Sequence, residues 1–104
     1  MPEIYRVIIM PRAVQDLAGI CEYIKQDSPQ NAASVAQRLL DSVDSLAIFP
    51  HRYRIHRSRR NRARLVRSMP VPPYVIYYRI LEKRRAVEVL TVWHGSRLPP
   101  SQFE

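Results

Sequence analysis

Two periods in the spacing of apolar residues predict the elements of this chain. Near the start, Tyr5 to Met10 reads YRVIIM, a run of β-type residues that predicts a short strand. From Pro11 to about Gln26, apolar residues recur at three- and four-residue steps, which predicts an amphipathic helix. Pro11 fits the first turn of this helix, because a backbone N–H at that position would have no partner within the helix.

A second helix is predicted shortly after the first. Ser28 can accept a hydrogen bond from a free amide of the next turn, and Pro29 suits the first helical position. Apolar residues then keep the helical spacing up to Phe49. Because only a few residues separate the two helices, they are expected to pack as an antiparallel helical hairpin over about residues 11–49.

The segment after residue 64 begins with another candidate strand. Leu65 to Met69 has the composition of a strand. Pro70, Pro72 and Pro73 follow it, and proline has no backbone N–H to give to a neighbouring strand. The prolines therefore predict an extended connection outside the sheet.

A β-hairpin is predicted at 74–93, where the runs Tyr74 to Leu81 and Ala86 to Trp93 flank the charged connector Glu82 to Arg85. The second run is apolar at nearly every position, which is typical of a central strand covered on both faces. The tail from Leu98 to Glu104 is predicted to be an arm. The predicted order is β-α-α-β-β-β, an α+β fold in which one small sheet packs against the helical hairpin.

Composition adds a strong positive charge. The 104 residues, expected to form a single domain over 1–104, include 17 Lys and Arg against 9 Asp and Glu, a formal net charge of +8. This balance favours nucleic acid, anionic membrane or acidic protein as a partner. Cys21 is the one cysteine, so neither a disulfide nor a Cys-rich metal site is expected, and no cofactor is implied. The sequence has no signal-peptide pattern or long apolar run, so a soluble cytoplasmic protein is expected.

The charge is concentrated in an arginine-rich segment at 51–67, and no acid occurs between Asp44 and Glu82. Guanidinium groups stay charged at physiological pH, bind phosphates through paired hydrogen bonds and stack on bases. The segment can therefore contact nucleic-acid phosphates or an acidic partner chain, and a solvated loop is the alternative. Its candidate binding residues are Arg52, Arg54, Arg57, Arg59, Arg60, Arg62 and Arg64.

A second candidate site lies at the end of the last predicted strand. His94 could transfer a proton at neutral pH, while Arg97 and, on a neighbouring strand, Arg67 could stabilise negative charge on a phosphate. These residue types suit phosphodiester cleavage. A histidine at a strand end also commonly makes a structural hydrogen bond, and the sequence leaves both interpretations open.

In their order and spacing, the motifs of the chain resemble the RelE/ParE toxin superfamily of bacterial type II toxin-antitoxin systems. They span residues 4 to 99, and the resemblance implies a helical hairpin packed against a small, curved antiparallel sheet. The matching motifs are the opening strand with the helix start Pro11-Arg12-Ala13, the helix DLAGICEYI, Ser28-Pro29 with Ala32 and Ala33, the helix end RLLDSVDSLAIFP, the strand Tyr74 to Ile80, and the ending VLTVWHGSRLP.

The resemblance implies one of two activities. RelE-like toxins cut mRNA in the ribosomal A site, whereas ParE-like toxins poison DNA gyrase and are not nucleases. Arg67 matches a catalytic strand arginine of some RelE-like members, His94 lies near a catalytic histidine of others, and Arg97 lies near their C-terminal basic cluster. Two departures count against a nuclease: Tyr74 stands where nucleases often carry Arg, and the tail offers Phe103 in place of a Tyr.

We therefore expect a growth-inhibiting toxin with ParE-like activity against DNA gyrase, since the long helical hairpin ending in IFP is more similar to ParE. One alternative is a ribosome-dependent mRNA endonuclease in which Arg67, His94 and Arg97 act on the scissile phosphate. Another is a family member that only binds its antitoxin. The expected partner is a cognate antitoxin whose acidic, partly disordered segment folds across the basic surface and forms a hetero-oligomer with the toxin.

Overall fold

The fold combines two helices with a small sheet, seen in a computed structural model that describes residues 4–56, 65–98 and 100. Its order confirms the predicted α+β fold, with the helical hairpin and the C-terminal β-hairpin in place. Two short 3₁₀ helices, Ser45–Ala47 and Pro50–Arg52, follow the second helix. The elements are β1 (Arg6–Ile9), α1 (Pro11–Lys25), α2 (Pro29–Asp44), β2 (Ile55–His56), β3 (Val66–Val71), β4 (Tyr74–Leu81) and β5 (Ala86–His94).

The helices begin where their sequences predict. Pro11 occupies the start of α1, and the Ser28 hydroxyl oxygen accepts a hydrogen bond from the Asn31 amide at 3.2 Å, which caps α2. α2 buries Leu39 and Val43 against the sheet, whereas the apolar side chains of α1 other than that of Ala13 stay partly exposed. Both helices therefore contact the core, α2 through fully buried side chains and α1 through Ala13 and the partly buried Leu17 and Ile20.

The sheet is mixed, with strand order β1-β5-β4-β3-β2. Four strands form its body and the two-residue β2 extends one edge. All neighbours are antiparallel except β1 and β5, which run parallel, with Arg6 opposite Ala86. The expectation of a purely antiparallel sheet fails at this one pair. A tight turn imposes antiparallel pairing on β3, β4 and β5, whereas β1 and β5 are distant in sequence and no turn sets their direction.

The prediction that the prolines lie outside the sheet is wrong for Pro70. It is part of β3 and pairs with Val75 of β4. The amide of Ser68 points away from β4, since it donates to the carbonyl of Arg54 at 3.1 Å. Backbone N–H groups point alternately to the two sides along a strand. The nitrogen of Pro70, two residues after Ser68, therefore also faces away from β4, and no hydrogen bond to β4 is lost.

β5 is an interior strand, as its continuous apolar sequence predicts, and it lies between β1 and β4. On the helix side, Val87 and Val89 join a core with Tyr78 and Leu39. The opposite side of the sheet carries a second, smaller cluster. That cluster comprises Val66, Tyr77 and Leu90, with Met10, Val75 and Trp93 packed against it.

A β-bulge interrupts the pairing of the two longest strands and is capped by α1. Tyr77 pairs with Thr91 but Tyr78 pairs with Val89, so one residue of β5 is extra. The Asp16 carboxylate accepts the Thr91 hydroxyl and the Val92 amide, the latter at 3.1 Å. Asp16 of α1 thus satisfies two donors at the irregular pairing, the hydroxyl of the fully buried Thr91 and the amide of Val92.

Replacing Asp16 with alanine should lower the free energy of unfolding by about 2 kcal/mol, because a buried hydroxyl and an amide lose their acceptor. Urea denaturation followed by circular dichroism measures this change. The neighbouring exposed Gln15→Ala is the control and should leave the midpoint unchanged. Equal midpoints for the two variants would show that the cap contributes nothing to stability.

Candidate functional site

The turn from Pro50 to Tyr53, called the anchored turn below, is held to the sheet by two strand side chains. Arg67 on β3 donates through Nη1 to the carbonyl oxygens of His51 at 3.0 Å and Tyr53 at 2.7 Å. Its register partner Tyr78 on β4 donates its hydroxyl to the carbonyl of Pro50 at 2.5 Å. Side chains thus satisfy three backbone acceptors of an irregular segment.

Burial gives Tyr78 an altered acidity. Its side chain is fully buried, and this raises the pKa of its phenol to about 12, although the charges of Arg67 and Arg52 pull it down. Burial also raises the pKa of Tyr77, which lies on the other face of the sheet. At physiological pH Tyr78 is therefore a neutral hydrogen-bond donor.

The structure does not bring the three predicted catalytic residues together. Arg67 lies opposite Tyr78, whereas His94 lies opposite Tyr74. Along β4 these two positions are about 13 Å apart at about 3.3 Å per residue, and His94 is a further strand away from Arg67. The guanidinium of Arg67 is also engaged by backbone carbonyls.

His94 is exposed at the end of β5 and is bonded locally. Its Nδ1 accepts the Ser96 amide at 3.1 Å and lies 2.7 Å from the Ser96 hydroxyl, while its ring meets Tyr74 edge to face at 5.5 Å. Because an amide can only donate, Nδ1 must keep its lone pair, which puts the proton of a neutral ring on Nε2.

Arg97 lies on the other face of the sheet from His94. Its guanidinium stacks 4.1 Å from the ring centre of Trp93, and that of Arg12 lies 5.7 Å from the same ring. The indole N–H of Trp93 donates to the carbonyl of Leu98 at 2.8 Å. His94 and Arg97 are therefore close in sequence, but they lie on opposite faces of the sheet and contact different residues.

The arginine-rich segment is described only at its ends. Arg52 donates to the Ser45 hydroxyl at 3.0 Å and lies 5.1 Å from the ring centre of Tyr53, and Arg54 is exposed before β2. The described residues nearest to its middle, His56 and Leu65, lie at the end of the sheet where the β4-β5 hairpin turns. The other candidate binding residues, Arg57, Arg59, Arg60, Arg62 and Arg64, lie outside the described residues.

Sequence reasoning missed two strained residues. Among the described non-glycine residues, Phe49 (φ 54°) and Arg85 (φ 48°) have a positive φ. This region costs an ordinary side chain about 1–2 kcal/mol, and the proline after Phe49 restricts it further. The sequence holds one sign of these positions: the chain has only 2 glycines and neither lies in these two turns, so other residues must adopt any left-handed conformation there. Strain of this kind is concentrated at functional sites.

The described residues offer no group of three His, Cys, Asp or Glu side chains that could hold a metal ion. No helix within those ranges is long and apolar enough to cross a membrane.

Comparison with known proteins identifies the family. Residues 7–99 match the family profile of the ParE toxin of type II toxin-antitoxin system, parDE. The curated protein Toxin RelE2 of Caulobacter vibrioides is 39% identical over 87 residues, which cover 84% of this chain and 91% of that protein.

Solved structures share the fold. A chain of the chromosomal ParDE system from P. aeruginosa has a TM-score of 0.69 and 17% identity, covering 88% of this chain and 97% of its own. A chain of the toxin-antitoxin complex RelBE2 from Mycobacterium tuberculosis has a TM-score of 0.56 and 22% identity, covering 90% of this chain and 94% of its own. Both ParE and RelE names occur among these relatives. The chain belongs to the ParE-toxin family and is a type II toxin of the RelE/ParE superfamily, which confirms the resemblance found in its sequence.

Proposed function

We propose that this toxin inhibits DNA gyrase and that it does so by binding, without cleaving a nucleic acid. The main support is the position of Arg67, whose guanidinium donates to two carbonyl oxygens of the anchored turn and is therefore engaged within the fold. A phosphate-cleaving site would need that cation near a proton-transferring group. His94 lies at the other end of the sheet and its Nδ1 is bonded to Ser96.

The proposed neutralising partner is an antitoxin with an acidic, partly disordered segment that acts in the cytoplasm. Two solved relatives come from toxin-antitoxin systems, which supports an antitoxin as a partner of this toxin too. The net charge of +8 favours an acidic chain, and the arginine-rich segment would be its densest contact. Antitoxin and toxin should therefore co-elute as a hetero-oligomer.

A supercoiling assay with purified gyrase tests the proposal directly. The toxin should inhibit supercoiling, and expression in growing cells should induce the SOS response while messages stay intact. Full supercoiling activity at saturating toxin, together with codon-phased cuts in ribosome-bound mRNA, would overturn it. Absence of both effects would leave only antitoxin binding.

The second candidate is a ribosome-dependent mRNA endonuclease. It is favoured by the relative named RelE2 and by the exposed His94, with Arg97 three positions later. Replacing His94 with glutamine separates the two activities. Growth inhibition should be unchanged if gyrase is the target, whereas loss of a general acid-base group should reduce mRNA cleavage by about 100-fold or more. The measurement is a growth titration alongside primer extension on ribosome-bound message.

A further inference from the structure

The two strained residues belong to one continuous surface. Ile4 forms a β-bridge with Ile48, the residue before Phe49. Two residues further along the chain, the amide of Arg6 donates to the carbonyl of Arg85 at 2.9 Å. Ile4 and Arg6 are on the order of 7 Å apart in extended chain, so the turns that contain Phe49 and Arg85 lie beside each other.

This end of the molecule exposes an apolar patch. The exposed fractions are 73% for Ile4, 44% for Ile48 and 61% for Phe49. Phe49 occupies a left-handed backbone position before a proline, where asparagine or glycine would fit better. Because its ring is mostly outside the core, packing within the fold does not explain why a bulky residue stands there.

Cations lie beside the patch, on β1 and in the β4-β5 turn. Arg6 and Lys83 are exposed, and neither is paired with a carboxylate among the residues that the structure describes. Arg85 adds a third exposed cation in a position that also suits glycine. The neighbouring carboxylate of Glu82 already contacts Nε2 of His51 at 2.6 Å. The complementary partner therefore carries carboxylates around an apolar pocket.

We propose that this end is the surface with which the toxin docks onto its target protein, an enzyme surface with an apolar pocket for Phe49 and acidic groups around it. The inference rests on the proposed function, which makes that target gyrase. A strained, exposed aromatic residue among cations is the composition of an interface hot spot. The antitoxin is assigned elsewhere, because the arginine-rich segment offers an acidic chain a far denser row of cations. The docking surface comprises Ile4, Arg6, Ile48, Phe49, Lys83 and Arg85.

Two variants with matched controls test the docking surface. Phe49→Asn removes the ring and suits the left-handed backbone, so it should fold as stably as the wild type. Lys83→Gln removes one exposed charge. Tyr23→Asn and Lys25→Gln remove an exposed aromatic ring and an exposed lysine from α1. Each protein is measured for gyrase inhibition, growth inhibition, affinity for the antitoxin and thermal unfolding.

Phe49→Asn should weaken inhibition of gyrase and of growth by at least about tenfold, and Lys83→Gln by about threefold with a reduced salt dependence. Antitoxin affinity and unfolding midpoints should not change, and both controls should behave as the wild type. Undiminished toxicity of Phe49→Asn would overturn the inference, as would a loss of antitoxin affinity in its place. If the wild type spares gyrase but Phe49→Asn still loses toxicity, the gyrase proposal fails while the docking surface stands for another target.

Discussion

Replacing Arg67 with methionine is expected to lower the free energy of unfolding by about 3 kcal/mol. Methionine keeps an unbranched stem but donates no hydrogen bond, so the carbonyls of His51 and Tyr53 lose the donor that lies 3.0 and 2.7 Å away. Arg67 is half-buried, and water can replace its bonds only in part. Guanidinium denaturation followed by circular dichroism should show a lower midpoint with an unchanged slope.

The control for Arg67 is Arg54→Met, which removes an exposed arginine from the chain beside the anchored turn. It should leave the midpoint where it is. If Arg67→Met unfolds like the control and yet loses all toxicity, the structural role assigned to Arg67 is wrong and the residue returns as a catalytic candidate. Stability must therefore be measured before any loss of toxicity at this position is interpreted.

The stability contributed by Tyr78 is expected to disappear between pH 10 and about pH 12. Burial raises the pKa of the folded phenol from 10.0 to about 12, so in this window the folded chain holds a proton that the unfolded chain has lost. Stability then falls as the pH rises, by about 3 kcal/mol for a shift of this size, and the contribution is complete below pH 10.

Tyr78→Phe isolates this effect. At neutral pH the variant should be less stable by about 1–2 kcal/mol, because the carbonyl of Pro50 loses the hydroxyl bonded at 2.5 Å. The variant has no phenol to ionise at this position, so the gap to the wild type should close as the pH rises above 10 and reverse in sign as it approaches 12. Urea denaturation at a series of pH values measures it. The exposed Tyr23→Phe should track the wild type throughout, and a gap that stays constant with pH would contradict the burial argument.

Arg67 and Tyr78 hold the segment on which both proposed surfaces depend. The anchored turn directly follows Phe49 of the docking surface and overlaps the start of the arginine-rich segment. Two side chains from neighbouring strands therefore fix the position of the turn that precedes β2. We expect substitutions of Arg67 or Tyr78 to lower toxicity by displacing this turn and not through lost contact with a substrate.

Local sequence determined the elements themselves. Pro11, Ser28 and Pro29 set the helix starts because caps act within one turn, and the apolar run of β5 showed its interior place because burial on both faces requires it. The order and spacing of the motifs were enough to recognise the toxin superfamily.

Tertiary structure decided the rest, since it depends on contacts between residues distant in sequence. The parallel pairing of β1 with β5 and the inclusion of Pro70 in β3 follow from which neighbours the strands meet. The residue type of Arg67 fits either a catalytic or a structural role, and its two bonds to carbonyls 14 and 16 residues away are visible only in the fold. The positive φ of Phe49 is a property of the backbone, and the spacing of apolar residues along the sequence does not reveal it.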